Sequence, residues 1–88
     1  MKFQFDPAKA ASNLKKHDVS FLDAEAVFYD LLALHIEDEY SIEEERWIVM
    51  GLGNIGQILV VVYTLRGEEI RVISARRAAR HEVKQYEG

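Results

Sequence analysis

The sequence contains no cysteine among its 88 residues, which excludes disulfide bridges, thiolate nucleophiles and thiolate metal sites. A cysteine-free chain suits a reducing cytoplasm. Long hydrophobic runs are also absent: the longest, residues 58–63, is far shorter than the roughly 20 residues that span a bilayer. The N-terminus lacks the apolar stretch of a signal peptide. We therefore expect a soluble cytoplasmic protein that is not exported.

Lysine and arginine are missing from residues 18–45, which carry ten acidic side chains. The flanking segments are basic, because residues 2–17 hold four lysines and one aspartate, and residues 46–88 hold seven bases and four acids. The whole chain has a formal net charge of −4. A basic surface built from the two ends can attract nucleic acid. The acidic middle is either a solvated surface or a site for a basic partner protein.

Proline occurs once, at position 7, directly after an aspartate, and this pair is typical of a helix start. The apolar spacing predicts a helix from this pair to about His17, with Asp18 as a left-handed C-cap. A second helix is predicted from Ser20 to about Asp30. In front of both, two alternating phenylalanines indicate a short strand.

Beyond residue 31 the hydrophobic period becomes that of strands. Glycine-containing turns and an acidic loop at residues 38–44 separate four predicted strands, at residues 32–37, 46–52, 57–65 and 70–74. The third strand is apolar on both faces, so we expect it in mid-sheet, with helices on one face and the last helix or a partner on the other. The sequence predicts one α+β domain, residues 1–88, with two N-terminal helices, a four-stranded antiparallel meander and a C-terminal helix.

Arginines are concentrated where the last predicted strand meets the last predicted helix, which we expect to include Arg76 and Arg77. The planar arginine fork binds phosphate or carboxylate with two hydrogen bonds and keeps its charge. Phosphate is therefore the first ligand to consider for this cluster. The alternative is that each arginine only solubilises the surface or pairs with Glu68, Glu69 or Glu82.

Several segments resemble the BrnT family of bacterial type II toxins, over nearly the full chain. They are residues 5–10 (FDPAKA), 13–17 (NLKKH), 19–21 (VSF), 45–46 (ER), 61–64 (VVYT) and 71–78 (RVISARRA), with Glu82 and Tyr86. The resemblance implies a RelE-like ribonuclease that inhibits translation by cutting RNA. It also implies a cognate BrnA antitoxin that neutralises the toxin in a hetero-oligomeric complex and binds operator DNA. Asp18 departs from the family pattern, which usually has glycine there.

RNA carries its own nucleophile, the 2′-hydroxyl, so such an enzyme needs a base, an acid and cations but no metal. His17 is the natural proton shuttle, since imidazole titrates near neutral pH; its alternative role is to cap a helix. Glu45 is the alternative base, and Lys16 the alternative acid or phosphate ligand. The predicted cationic residues are Arg66, Arg71, Arg76 and Arg77. Further substrate contacts are expected from Arg46, Ser74, Arg80 and Tyr86, although a tyrosine near a helix end often only packs.

Other constellations are weak. His35 and His81 have no matching motif, and the three histidines lack the short spacing of metal ligands. The glycines at positions 51, 53 and 56 match a dinucleotide fingerprint by letter, but a strand follows them, which indicates a hairpin. Trp47 is expected in the core or at a partner interface. We expect no cofactor, and the alternative to a ribonuclease is a non-catalytic module that binds an acidic protein segment or nucleic acid through its arginines.

Overall fold

The computed structural model describes residues 2–37 and 45–88, so the predicted acidic loop lies outside the described residues. The fold is α+β, as expected. Its strands are β1 (Lys2–Gln4), β2 (Leu34–Glu37), β3 (Trp47–Leu52), β4 (Ile58–Arg66) and β5 (Glu69–Arg77). Its helices are α1 (Pro7–His17), α2 (Phe21–Glu25), a 3₁₀ helix (Ala26–Tyr29) and α3 (Arg80–Glu87). Among the described helices, none is long and apolar enough to cross a membrane.

The sheet has five strands in the order β1-β5-β4-β3-β2, where four had been expected. Strands β2 to β5 form the predicted antiparallel meander. The additional strand is β1, which pairs in parallel with β5 from Lys2 opposite Glu69 to Gln4 opposite Arg71. Three residues carry too little periodicity to reveal a partner strand at the other end of the chain. Strand β4 pairs with β5 along one edge and with β3 along the other, so its predicted mid-sheet position is confirmed.

The last strand is longer than predicted, and the expectation that Arg76 and Arg77 open the last helix is wrong. The pairing of β4 with β5 shifts register between Val62 and Tyr63, which leaves Ile73 as an extra residue in β5. After this bulge the ladder resumes up to Arg77 opposite Leu59. Extended backbone therefore continues through both arginines, and α3 begins only at Arg80.

Two other boundaries also differ. The second helix ends at Glu25 and continues as a 3₁₀ turn to Tyr29, one residue before the expected end. Strand β2 begins at Leu34 rather than at residue 32, because the Asp30 carboxylate accepts a hydrogen bond from the amide of Leu32 (2.9 Å) and holds a turn there.

The predicted capping residues are confirmed. Asp6 caps α1 by accepting a hydrogen bond from the amide of Ala8 (2.8 Å), and Ser20 caps α2 by accepting one from the amide of Asp23 (3.1 Å). Asp18 terminates α1 in the left-handed region, with φ 57° and ψ 35°, and its amide donates to Leu14. A non-glycine residue in this region costs on the order of 1 kcal/mol.

One face of the sheet carries the core. The helices contribute Phe21, Ala24 and Val27, the connection between α1 and α2 contributes Val19, and the strands contribute Val49, Leu59, Val61, Tyr63, Ile70, Val72 and Ala75. Trp47 packs against this cluster, which supports the core alternative for that residue. The opposite face places Arg76 in register with Val60 and Met50, both of which are buried.

Candidate active site

The outer edge of β5 is paired with β1 only at Glu69–Arg71, and α1 lies beside the rest of that edge. The side chain of Asn13 closes this edge. Its Nδ2 donates to the carbonyl of Ala75 (2.8 Å), and its Oδ1 accepts from the amide of the same residue (3.0 Å). The Nδ2 also donates to the carbonyl of Val19 (2.9 Å). The buried amide of Asn13 thus takes the place of a neighbouring strand and joins α1 to β5.

Sequence reasoning assigned no role to Asn13. The available signal was its position in the middle of a helix, where asparagine is unfavourable unless its side chain has a specific partner.

Between α1 and β5 lies a groove of about 240 Å³. Three residues predicted for the site meet there: Lys16 and His17 at the end of α1, and Ser74 on β5. The other lining residues are Lys9, Ser12, Asn13 and Ile73. Lys9 and Ser12 were not predicted; a helical face shared with Lys16 at spacings of seven and four residues could have revealed them.

His17 is the last residue of α1 and is partly buried at the groove. The helix is capped by the backbone of Asp18 rather than by this side chain. Within the described ranges, no protein group hydrogen-bonds the imidazole, which leaves it available to a substrate.

Arg77 lies beside the end of α1. Its Nη2 is 3.3 Å from the carboxylate of Asp18, and its Nε donates to Gln57 (3.3 Å). The side chains of Arg77 and Asp18 are 50% and 81% exposed, so this ion pair contributes little to stability. A phosphate can therefore replace Asp18 at a small energetic cost.

Arg76 is engaged differently. Its guanidinium binds both carboxylate oxygens of Glu82 in α3, at 2.8 and 3.0 Å. Glu82 also accepts a hydrogen bond from the amide of Ala79 at the start of that helix (2.8 Å). The hydrogen bonds from Arg76 are the main reason that the pKa of Glu82 falls to about 2. Carboxylate pairing, the alternative considered for each arginine, is what the structure shows for Arg76.

We expect Glu82→Gln to destabilise the protein by about 1 to 2 kcal/mol at pH 7, because it removes the ionised partner of a half-exposed arginine. The folded-state pKa of Glu82 lies below its usual 4.5. Its contribution to stability is therefore present above the unfolded pKa and is lost as the pH falls from about 4.5 to about 2. Urea unfolding at pH 7 and pH 3 should show the variant and wild type converging in acid. Glu87→Gln, on the same helix, is the control, and an equal loss there would contradict the assignment.

The other end of α3 is held by Tyr86, whose hydroxyl donates to the carboxylate of Asp30. Asp30 also accepts a hydrogen bond from the amide of Leu52 (2.8 Å), so it connects α3, the 3₁₀ helix and β3. The bond from Tyr86 is the main cause of the lowered pKa of Asp30. Sequence reasoning missed this role of Asp30. Arg80, the first residue of α3, is exposed.

A second group of predicted residues lies away from the groove. Arg71 is opposite Thr64 on β4, and the hydroxyl of Thr64 donates to the carbonyl of Glu45 (2.9 Å). Glu45 and the following Arg46 are thus on the β3 side of β4. Two inter-strand spacings, about 10 Å, separate that side from β5. The structure does not bring Glu45 to His17.

Arg71, Ser74 and Arg76 lie on the same face of β5. Their partners on β4 are Thr64, Val62 and Val60, which are every second residue of that strand and therefore share one face. Arg66 ends β4 at the hairpin.

His35 and His81 are exposed on β2 and α3, away from the groove. In the parts of the chain that the structure describes, no three histidine, aspartate or glutamate side chains are grouped as metal ligands. The three glycines lie in or beside the β3–β4 hairpin, as predicted.

Comparison with known proteins gives the family. The profile of "Ribonuclease toxin, BrnT, of type II toxin-antitoxin system" matches residues 5–82. The crystal structure of the Brucella abortus ribonuclease toxin BrnT superimposes with a TM-score of 0.73 and 29% identity, over 91% of this chain and 99% of that one. Curated protein sequences give no significant match. The resemblance seen in the sequence is confirmed: the chain belongs to the BrnT family of ribonuclease toxins of type II toxin–antitoxin systems, which have RNA as target and an antitoxin protein as partner.

Proposed function

We propose that this protein is a metal-independent RNA endonuclease that cleaves its substrate in the groove between α1 and β5. The observation that carries the proposal is the meeting of His17, Lys16 and Ser74 in that groove, and Arg77 lies next to Asp18, the residue that follows His17. These residues supply an imidazole, an ammonium group, a hydroxyl and a guanidinium. That set is sufficient to move a proton and to stabilise a phosphorane.

In the proposed reaction, the RNA 2′-hydroxyl loses its proton and its oxygen attacks the adjacent phosphorus. The bond from phosphorus to the 5′-oxygen breaks, and that oxygen takes up a proton. The products are a 2′,3′-cyclic phosphate and a 5′-hydroxyl. We assign the proton transfers to His17, and stabilisation of the developing negative charge to Lys16 and Arg77.

The remaining predicted residues take supporting roles. Arg71 shares the face of Ser74 and is proposed to contact a phosphate beyond the groove, with Arg46, Arg66 and Arg80 as outer contacts of a longer RNA. Arg76 and Tyr86 hold α3 through Glu82 and Asp30, so we propose that they position the site. Glu45 lies away from the groove, so it could act as a base only on an RNA that extends across the sheet.

We further propose that the partner is a BrnA-like antitoxin in a hetero-oligomeric complex. We also propose that residues 1–88 form a single toxin domain. This domain acts in the cytoplasm and inhibits translation by cleaving RNA. Family membership supports the type of partner. The charge pattern supports electrostatic steering of the antitoxin to the toxin. An antitoxin that contacts both the basic groove and the acidic segment 18–45 would carry acidic residues opposite the groove and basic residues opposite the segment.

Cleavage of single-stranded RNA in the presence of EDTA tests the proposal. We expect cleavage to persist, with 5′-hydroxyl and cyclic phosphate ends on the products. A mock purification from cells that do not express the protein controls for contaminating ribonuclease. Loss of cleavage in EDTA, with recovery on addition of Mg²⁺, would contradict a metal-independent reaction.

A further inference from the structure

We propose that Lys9 and Ser12 form a second phosphate subsite, which binds the RNA backbone a few nucleotides from the cleaved bond. The ligand class is a phosphodiester of single-stranded RNA. This inference rests on the proposed function, because it extends the same groove along α1. Neither residue belongs to the catalytic set argued above.

The first support is the spacing along the helix. Lys9, Ser12 and Lys16 all line the groove, and Lys9 is two helical turns from Lys16. Two turns correspond to about 10 Å along the helix axis. A stacked strand advances about 3.4 Å per nucleotide, so the two lysines span about three nucleotides. The row can therefore bind a phosphate other than the one held near His17.

The second support is the chemistry of the lining. The polar groups that α1 directs to the groove are ammonium, hydroxyl, amide and imidazole groups, and no carboxylate of the described residues lines it. Within residues 2–37 and 45–88, Lys9 has no ion pair that a phosphate would have to displace. The volume of about 240 Å³ is below the roughly 300–1,000 Å³ of pockets that enclose whole small ligands. The groove therefore suits a sugar–phosphate backbone better than a complete nucleotide.

The third support is rigidity. Asn13 lies between Ser12 and Lys16 in the chain and lines the same groove, but its amide already makes three hydrogen bonds. It fixes α1 against β5, so the lysine row and Ser74 keep a constant separation. Preorganised donors lose less entropy when an extended ligand binds.

The test compares Lys9→Ala with Lys15→Ala, which removes the same charge from the same helix outside the groove. The probe is a fluorescein-labelled single-stranded RNA of about twelve nucleotides, 2′-O-methylated throughout so that it cannot be cleaved. Binding is followed by fluorescence anisotropy at several salt concentrations. We expect Lys9→Ala to weaken binding about three- to fivefold and to reduce the salt slope by about 0.7, the value for one phosphate contact on a single strand. Ser12→Ala should weaken binding less and leave the slope unchanged.

Equal effects of Lys9→Ala and Lys15→Ala would mean that only net charge matters, and would overturn the subsite. An unchanged salt slope in Lys9→Ala would overturn it as well. The proposed function is decided separately, by cleavage of unmodified RNA by the His17→Ala variant. If that variant still cleaves, the catalytic assignment fails, while the anisotropy measurement continues to decide the subsite. Circular dichroism of each variant confirms that the exposed substitutions leave the fold intact.

Discussion

Replacing His17 by alanine is expected to slow RNA cleavage by about 10² to 10⁴-fold, because the reaction loses its proton-transfer group. The groove residues Lys16 and Ser74 stay in place, so RNA binding should change much less than turnover. One limb of the pH–rate profile should disappear with the imidazole. Single-turnover cleavage of a labelled RNA measures the rate, and anisotropy measures binding.

The matched control is His35→Ala, which removes an exposed histidine from the opposite edge of the sheet. It should cleave at the wild-type rate. If His17→Ala also keeps the wild-type rate but melts at a lower temperature, His17 only stabilises the end of α1. The catalytic assignment would then pass to Lys16.

Asn13→Ala is expected to cost about 3 kcal/mol or more of the free energy of unfolding. The substitution leaves three buried backbone groups without partners: the amide and carbonyl of Ala75 and the carbonyl of Val19. An unsatisfied buried polar group costs about 1–3 kcal/mol. Since a domain of this kind has about 5–15 kcal/mol in total, the loss is a large part of its stability. Urea unfolding followed by circular dichroism measures it.

Asn13→Asp sharpens this prediction. The ionised carboxylate still accepts from the amide of Ala75, but its second oxygen faces the two carbonyls that the wild-type Nδ2 binds. We expect a loss at least as large as in Asn13→Ala at pH 7 and a partial recovery in acid, where the protonated carboxyl can donate to one of them. Asn54→Ala, in the exposed β3–β4 turn, is the control and should change stability little. Equal effects at positions 13 and 54 would contradict the role of Asn13.

Local sequence signals determined most elements of this fold. The aspartate–proline pair and Ser20 mark the starts of α1 and α2 because capping depends on groups a few residues apart. The left-handed Asp18 was predicted from its position after the last helical residue. Turn glycines and alternating apolar residues predicted the meander, and the doubly apolar run of β4 predicted its central place. The family resemblance rested on similarly local motifs.

Only the tertiary structure decided which of these elements meet and which charged side chains pair with one another. The pairing of β1 with β5, the bulge at Ile73 and the bond from Asn13 to Ala75 join positions far apart in the chain or depend on sheet register. Periodicity in the sequence predicts which face of a helix or strand a residue occupies, but not which residue of another element it contacts. For that reason the sequence by itself grouped the arginines, whereas packing paired Arg76 with Glu82 and placed the groove beside His17.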